Sequence, residues 1–83
     1  MNAPLAVTAD EIAAARTAGL LEELKHSLRG LAIHAEVGSM HVDVGDLAGL
    51  EHDAQCCRDC LVHATNLLKA LRNDLTGNAA TSG

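Results

Sequence analysis

Phenylalanine, tyrosine and tryptophan are all absent from this chain of 83 residues. Aromatic side chains bury the largest areas in protein cores, so the apolar core has to be built mainly from 13 leucines and many alanines. A domain of this size rarely gains more than about 3–5 kcal/mol from a single core, and a partner chain often supplies the rest. The composition therefore indicates a thin core and favours self-association.

Positive charge is also scarce. Six lysines and arginines, spread along the chain, face eleven acidic residues, and the net charge is −5. Nucleic-acid binding draws most of its energy from clustered basic side chains, so we expect no nucleic-acid partner. No run of about 18 apolar residues occurs, so we expect no membrane-spanning segment and no membrane partner.

Cysteine occurs three times, at positions 56, 57 and 60, and an odd number of cysteines cannot pair completely within one chain. The first eight residues lack the basic and long apolar segments of a secretory signal. Both features favour a reducing, cytoplasmic location over a disulfide framework. Residues 1–7 are interpreted as a short lead before the folded part.

The sequence Thr8-Ala9-Asp10-Glu11 predicts the start of a helix, because it forms a capping box in which the side chains of Thr8 and Glu11 each accept a hydrogen bond from the other residue's backbone amide. The first helix is predicted over about 9–37, and Gly38 is expected to end it. A leucine-rich stripe at spacings of 3 and 4 follows the capping box. Its members are Leu21, Leu24, Leu28, Leu31 and Ala35, flanked by Leu20, Ser27 and His34.

The second helix is predicted over about 46–76 and has the most regular pattern in the chain. Either Asp43 or Asp46 is expected to cap it, after a connector at 38–45. Residues 78–83 are interpreted as a disordered tail beyond Gly77. The apolar positions recur at 3 and 4 over four heptads: Leu47, Leu50, Ala54, Cys57, Leu61, Ala64, Leu68, Leu71 and Leu75, widened by Cys60 and Leu67.

These patterns predict an all-α fold, an antiparallel, coiled-coil-like two-helix hairpin at 8–77 that dimerises into a four-helix bundle. Each stripe is three positions wide per heptad, whereas one helix pair covers only the narrow a and d positions. The expected interaction surface comprises Leu20, Leu24, Leu28, Leu31, Leu50, Leu61, Leu67, Leu68 and Leu71.

Four polar side chains on the second helix, His52, Cys56, Asp59 and His63, fall within about 60° of one another around the helix axis. Histidine, cysteine and aspartate can bind borderline divalent ions. The row is about 16 Å long, however, so one ion can reach only two neighbours. Cys60 lies beside this row of side chains. Together with Cys57 it makes up a Cys-x-x-Cys motif. The two thiols lie inside the helix, where no helix N-terminus lowers a thiol pKa.

We therefore predict a small, non-enzymatic protein–protein interaction module without catalytic residues or a cofactor. It would be a self-associating hairpin, or an adaptor or small chaperone that binds a partner helix. The alternative is a thiol- or metal-binding protein that uses the cysteine and histidine side chains of the second helix. Cys56 is then the thiol expected to be exposed.

Overall fold

The computed structural model describes the backbone of residues 8–82 and the side chains of residues 8–77. Two α-helices make up this part of the chain, and they pack against each other: α1 spans Ala9–Val44 and α2 spans Leu47–Ser82. The predictions of an all-α fold and of two packed helices are confirmed. The predicted lead at 1–7 lies outside the described residues.

Helix α1 begins at the predicted capping box. Thr8 has an extended backbone (φ −78°, ψ 160°), and its hydroxyl oxygen accepts a hydrogen bond from the Glu11 amide at 3.1 Å. The Glu11 carboxylate accepts the Thr8 amide in return at 3.5 Å. Two amides that the first turn leaves without a helical partner are thereby satisfied.

The turn between the helices is shorter than predicted, because α1 runs through Gly38 to Val44. Gly38 is buried against α2, where an added Cβ would lie 3.4 Å from Asp53 Cβ and 3.8 Å from Leu50 Cδ1. Gly38 therefore lies in the interior of α1, on the side that faces α2, and does not end the helix. The connector predicted at 38–45 is corrected to Gly45 and Asp46.

Gly45 ends α1 with a left-handed backbone (φ 72°), and its amide bonds back to the carbonyls of His41 and Val42. Glycine adopts this conformation without the steric cost that other residues meet. Asp46 Oδ1 then accepts the Gly49 amide at 2.9 Å, so Asp46 is the residue that caps α2.

Helix α2 continues through Gly77 to Ser82, so the tail predicted at 78–83 is helical over its described residues, 78–82. Among the described glycines only Gly45 has a positive φ, and Gly77 therefore does not form a left-handed cap. The segment after Gly77 also contains no proline that would stop a helix.

The contact between the helices, here called the seam, follows alternating spacings of 4 and 3 on both helices, and every member is at least partly buried. Arg16 pairs with Asp74 near the open end and His41 contacts Asp53 near the turn, which makes the helices antiparallel. On α1 the seam consists of Ala13, Thr17, Leu20, Leu24, Ser27, Leu31, His34, Gly38 and His41. On α2 it consists of Leu50, Asp53, Cys57, Cys60, Ala64, Leu67, Leu71 and Asp74.

Three of the five stripe members on α1 and five of the nine on α2 therefore lie outside the seam. On α1 the seam uses the flanking column of Leu20, Ser27 and His34. The displaced stripe members are exposed: Leu21, Leu28, Ala35, Leu47, Ala54, Leu61, Leu68 and Leu75. A stripe three positions wide allows two such pairings, and in the observed one Gly30 and Gly38 both face α2.

Candidate functional site

The displaced residues, together with the exposed Ala14 and Val42, form a continuous apolar surface, here called the leucine face. On α1 its members directly follow the seam residues Ala13, Leu20, Ser27, His34 and His41. On α2 they directly follow Asp46 and the seam residues Asp53, Cys60, Leu67 and Asp74. The members on α1 form one column and the members on α2 form another. An antiparallel helix pair has an approximate two-fold axis perpendicular to the plane of the hairpin, and rotation about this axis exchanges the helices without turning the hairpin over. Equivalent columns of the two helices therefore lie on the same side of the hairpin. The leucine face consists of Ala14, Leu21, Leu28, Ala35 and Val42 of α1, and Leu47, Ala54, Leu61, Leu68 and Leu75 of α2.

All ten residues of the leucine face are apolar and all ten are exposed. Leu28 is 48% exposed and Leu61 is 54% exposed. Among the described residues, seven of the twelve exposed large hydrophobic side chains belong to this face, so the exposed apolar surface is concentrated on one side. A contiguous apolar surface of this kind is typical of an interaction site.

Shallow grooves follow the leucine face on both helices. The groove on α1 is lined by Leu21, Leu24 and Leu28, with Lys25, Arg29 and Ala32 at its outer side. The groove on α2 is lined by Leu68, Leu71 and Leu75, with Arg72 and Thr76 at its outer side. Beside the turn, Val42 of α1 and Leu47 of α2 line a common depression. This depression places the two columns on the same side of the hairpin, as the heptad geometry requires.

The hairpin itself has little interior. Ala64 and Leu67 are the only apolar side chains that the structure buries among residues 8–77, and in that range no large side chain is fully buried. Two of the buried residues are polar, Ser27 and Asp53. Apolar burial is the main favourable term in folding, and six of the twelve described leucines lie in the leucine face, where they contribute little of it within one hairpin.

The antiparallel register pairs the residues of the leucine face across the hairpin. Cys57 Sγ lies 3.8 Å from the Leu31 carbonyl oxygen, and Arg16 Nε lies 2.6 Å from Asp74 Oδ2, which fixes the pairing at two heights. Each cross-pair is here called a rung. From the open end to the turn, the rungs are Ala14–Leu75, Leu21–Leu68, Leu28–Leu61, Ala35–Ala54 and Val42–Leu47.

The predicted interaction surface is divided between the seam and the leucine face. Leu67 is buried in the seam, and three of the nine residues, Leu28, Leu61 and Leu68, lie in the leucine face. The other five are half-buried members of the seam: Leu20, Leu24, Leu31, Leu50 and Leu71.

The predicted metal row lies on the other side of α2 from the leucine face. His52 Nε2 and Cys56 Sγ are 3.7 Å apart, which brings one neighbouring pair together. Asp59 instead accepts a hydrogen bond from Gln55 Nε2 at 2.9 Å. Over the described residues, no three histidine, cysteine or acidic side chains converge on a common point, and His63 joins no such group.

The three cysteines are all half-buried, so Cys56 is not the exposed thiol that the sequence predicts. Burial, followed by the nearby Asp53 and Asp59 carboxylates, raises the pKa of the Cys56 thiol. The thiolate is the form that reacts and binds metals, so the raised pKa disfavours both activities at neutral pH. Cys60 belongs to the seam, where its sulfur lies 3.3 Å from the position that a Cβ on Gly30 would take.

Sequence reasoning missed a polar cluster beside the turn. His41 Nδ1 contacts Asp53 Oδ2 within hydrogen-bonding distance, and His41 Nε2 lies 3.7 Å from Asp46 Oδ2. Asp53 is only 4% exposed. The sequence does contain a signal for Asp53, which precedes Cys60 and Leu67 at seven-residue intervals and so lies on the same side of α2. The connector predicted at 38–45 contains His41, however, so the sequence pattern does not place His41 on a helix opposite Asp53.

Neither helix is long and apolar enough, over the residues described, to cross a membrane.

Comparisons with protein-family models, curated proteins and solved structures find no match to this chain. The leucine face is therefore characterised by its own geometry alone.

Proposed function

We propose that this protein is a non-enzymatic helical interaction module that dimerises through its leucine face. The observation that supports the proposal is the concentration of exposed leucine on one side of a hairpin whose seam buries few apolar side chains. The second copy would complete a four-helix bundle, with the two leucine faces forming the central apolar layer.

A second copy of this chain suits the face better than an isolated partner helix. The face is two columns wide, with one column from each helix, and a single partner helix would lie between the columns, whereas a hairpin supplies one helix for each column. A hairpin with the same two columns covers both at once. Homodimers with two-fold symmetry use one surface patch on both subunits, so a face without charged residues can be self-complementary.

The test places the same substitution at two neighbouring residues of α2, one in the leucine face and one outside it. Leu61 is 54% exposed in the leucine face, and Val62 is 53% exposed on the outer surface. We expect Leu61→Glu to dissociate the dimer, because the buried charge would have no partner. Val62→Glu carries the same charge at the same exposure and should leave the dimer intact.

Analytical ultracentrifugation over a wide concentration range, with circular dichroism of each variant, provides the measurement. The Leu61→Glu protein should sediment as a monomer and melt at a lower temperature than the Val62→Glu protein, because one hairpin buries few apolar side chains by itself. A wild-type chain that remains a folded, thermally stable monomer at high concentration would overturn self-association. Equal weakening by both substitutions would show that the leucine face is not the interface.

A further inference from the structure

The rungs of the leucine face differ in size along the hairpin. The Leu28–Leu61 rung occupies the middle, with the Leu21–Leu68 rung on the side of the open end and the Ala35–Ala54 rung on the side of the turn. One neighbour is therefore large and the other small. This asymmetry matters because facing layers pack well when large side chains meet small ones.

Two dimers can bury the leucine face with two-fold symmetry. If the axis runs along the helices, both turns lie at the same end and each rung meets its own copy. If the axis runs across the hairpin, the turns lie at opposite ends and each helix lies antiparallel to its own copy. Both arrangements give a four-helix bundle, so the rung sizes and the charges around the face have to distinguish them.

The rung sizes favour turns at opposite ends. With the axis through the Leu28–Leu61 rung, the seven-residue spacing places the Leu21–Leu68 rung over the second copy's Ala35–Ala54 rung. In the same-end dimer, the Ala35–Ala54 rung would meet its own copy, and four alanines would leave a gap. Cavities in an apolar layer are destabilising, because the lining atoms lose their packing contacts.

The charges beside the face favour the same arrangement. Glu51 and Arg72 both lie on the outer edge of the leucine face, three residues before Ala54 and Leu75 respectively. In the opposite-end dimer, Glu51 of one copy lies over Arg72 of the second, and symmetry repeats this pair. In the same dimer, Lys25 of one copy lies over Ala32 of the second copy on the α1 side of the face, so this edge adds no ion pair. In the same-end dimer, Glu51 faces Ser39 and Arg72 faces Ala18.

We infer that the chain forms a dimer with its two turns at opposite ends, with Leu28 and Leu61 at the symmetry axis. The inference rests on the proposed function, since it specifies how the second copy is seated on the leucine face. It assigns Ala35 and Ala54 as the positions that receive Leu21 and Leu68 of the second copy.

The test enlarges the small rung. Ala35 and Ala54 are exposed in the hairpin, so Ala35→Leu and Ala54→Leu can be accommodated within one chain. In the opposite-end dimer the double variant overpacks the layer, and the dissociation constant should rise roughly tenfold or more. Adding Leu21→Ala and Leu68→Ala exchanges the large and small rungs and should restore most of the affinity.

The same-end dimer predicts the opposite result. In that dimer, Ala35→Leu with Ala54→Leu fills the gap and lowers the dissociation constant. Adding Leu21→Ala and Leu68→Ala then opens a new gap and does not lower the dissociation constant further. Tightening, or no change, would overturn the opposite-end arrangement while leaving the leucine-face dimer in place. A monomeric wild-type chain would instead overturn the proposed function. Circular dichroism should show that each variant keeps its helices.

A distance measurement checks the arrangement directly. A spin label carried by a non-natural side chain in place of Asp43, near the turn, leaves the native cysteines unchanged. At 1.5 Å per residue, opposite-end turns separate the two labels by about 45–50 Å. Same-end turns separate them by about 25 Å, since the labels then differ mainly across the bundle. A pulsed electron resonance distance near the shorter value would overturn the inference.

Discussion

At the scale of single residues, two glycines inside α1 have different surroundings. A Cβ added at Gly19 would meet nothing within 4 Å, whereas a Cβ at Gly30 would lie 3.3 Å from Cys60 Sγ. Glycine inside a helix is less favourable than alanine, so Gly19 carries a cost that no contact within the hairpin offsets. Gly30 allows α2 to approach α1 closely, and its conformational cost has a structural reason.

The substitution Gly19→Ala should raise the free energy of unfolding by about 0.5–1 kcal/mol, because alanine favours the helix and the site is open. Gly30→Ala has the same intrinsic gain but must displace the Cys60 sulfur, so its net gain should be smaller or negative. Urea unfolding followed by circular dichroism at one protein concentration measures both. Equal gains for the two variants would contradict close packing at Gly30.

At the scale of the helices, polar contacts near the two ends of the seam define the register. Arg16 and Asp74 pair near the open end, and His41 and Asp53 meet near the turn. Apolar side chains pack in several alternative registers, but a buried polar group requires a specific partner. The polar members of the seam therefore select one alignment among those that the leucine pattern allows.

Replacing the buried carboxylate tests this role. Asp53→Ala removes the contact with His41 and should lower the free energy of unfolding by about 1–3 kcal/mol. Asp59→Ala is the matched control on the same helix, because Asp59 is exposed and accepts only the hydrogen bond from Gln55 that the structure records. Its effect should stay within about 0.5 kcal/mol. Similar urea midpoints for the two variants would show that Asp53 does not stabilise the seam.

At the scale of the whole molecule, the hairpin is long and thin, with principal extents of 64 × 35 × 13 Å over the described residues. A body about one helix thick exposes both sides of the hairpin, so few side chains can be enclosed. Packing a second copy on the leucine face would double the thickness and enclose ten apolar residues from each chain. Folding and association are then expected to be coupled.

The coupling predicts that the melting temperature depends on protein concentration. Mass action favours the dimer, so each tenfold increase in concentration should raise the melting temperature by roughly 3–5 °C. Thermal scans by circular dichroism from low to high micromolar concentration measure the shift. Val62→Glu should keep this dependence and Leu61→Glu should lose it. A wild-type melting temperature that does not change with concentration would contradict coupled folding.

The sequence by itself determined the elements of this fold and the apolar character of its surface. Local chemistry was sufficient for the capping box at Thr8 and Glu11, since its partners are three residues apart and need no tertiary contact. The 3 and 4 spacing of leucine was likewise sufficient to predict two helices that pack together. It also predicted that a single helix pair would leave part of each stripe uncovered.

Only the tertiary structure decided which columns meet and where the helices turn. Glycine is common after helices, and this preference predicts that Gly38 ends α1, but in the structure Gly38 lies inside α1 and is buried against Asp53 and Leu50 of α2. A stripe three positions wide permits two seams, and no local rule distinguishes Leu20 from Leu21 as a seam residue. The choice depends on small and polar residues distant in sequence, which pair only when the two helices are brought together.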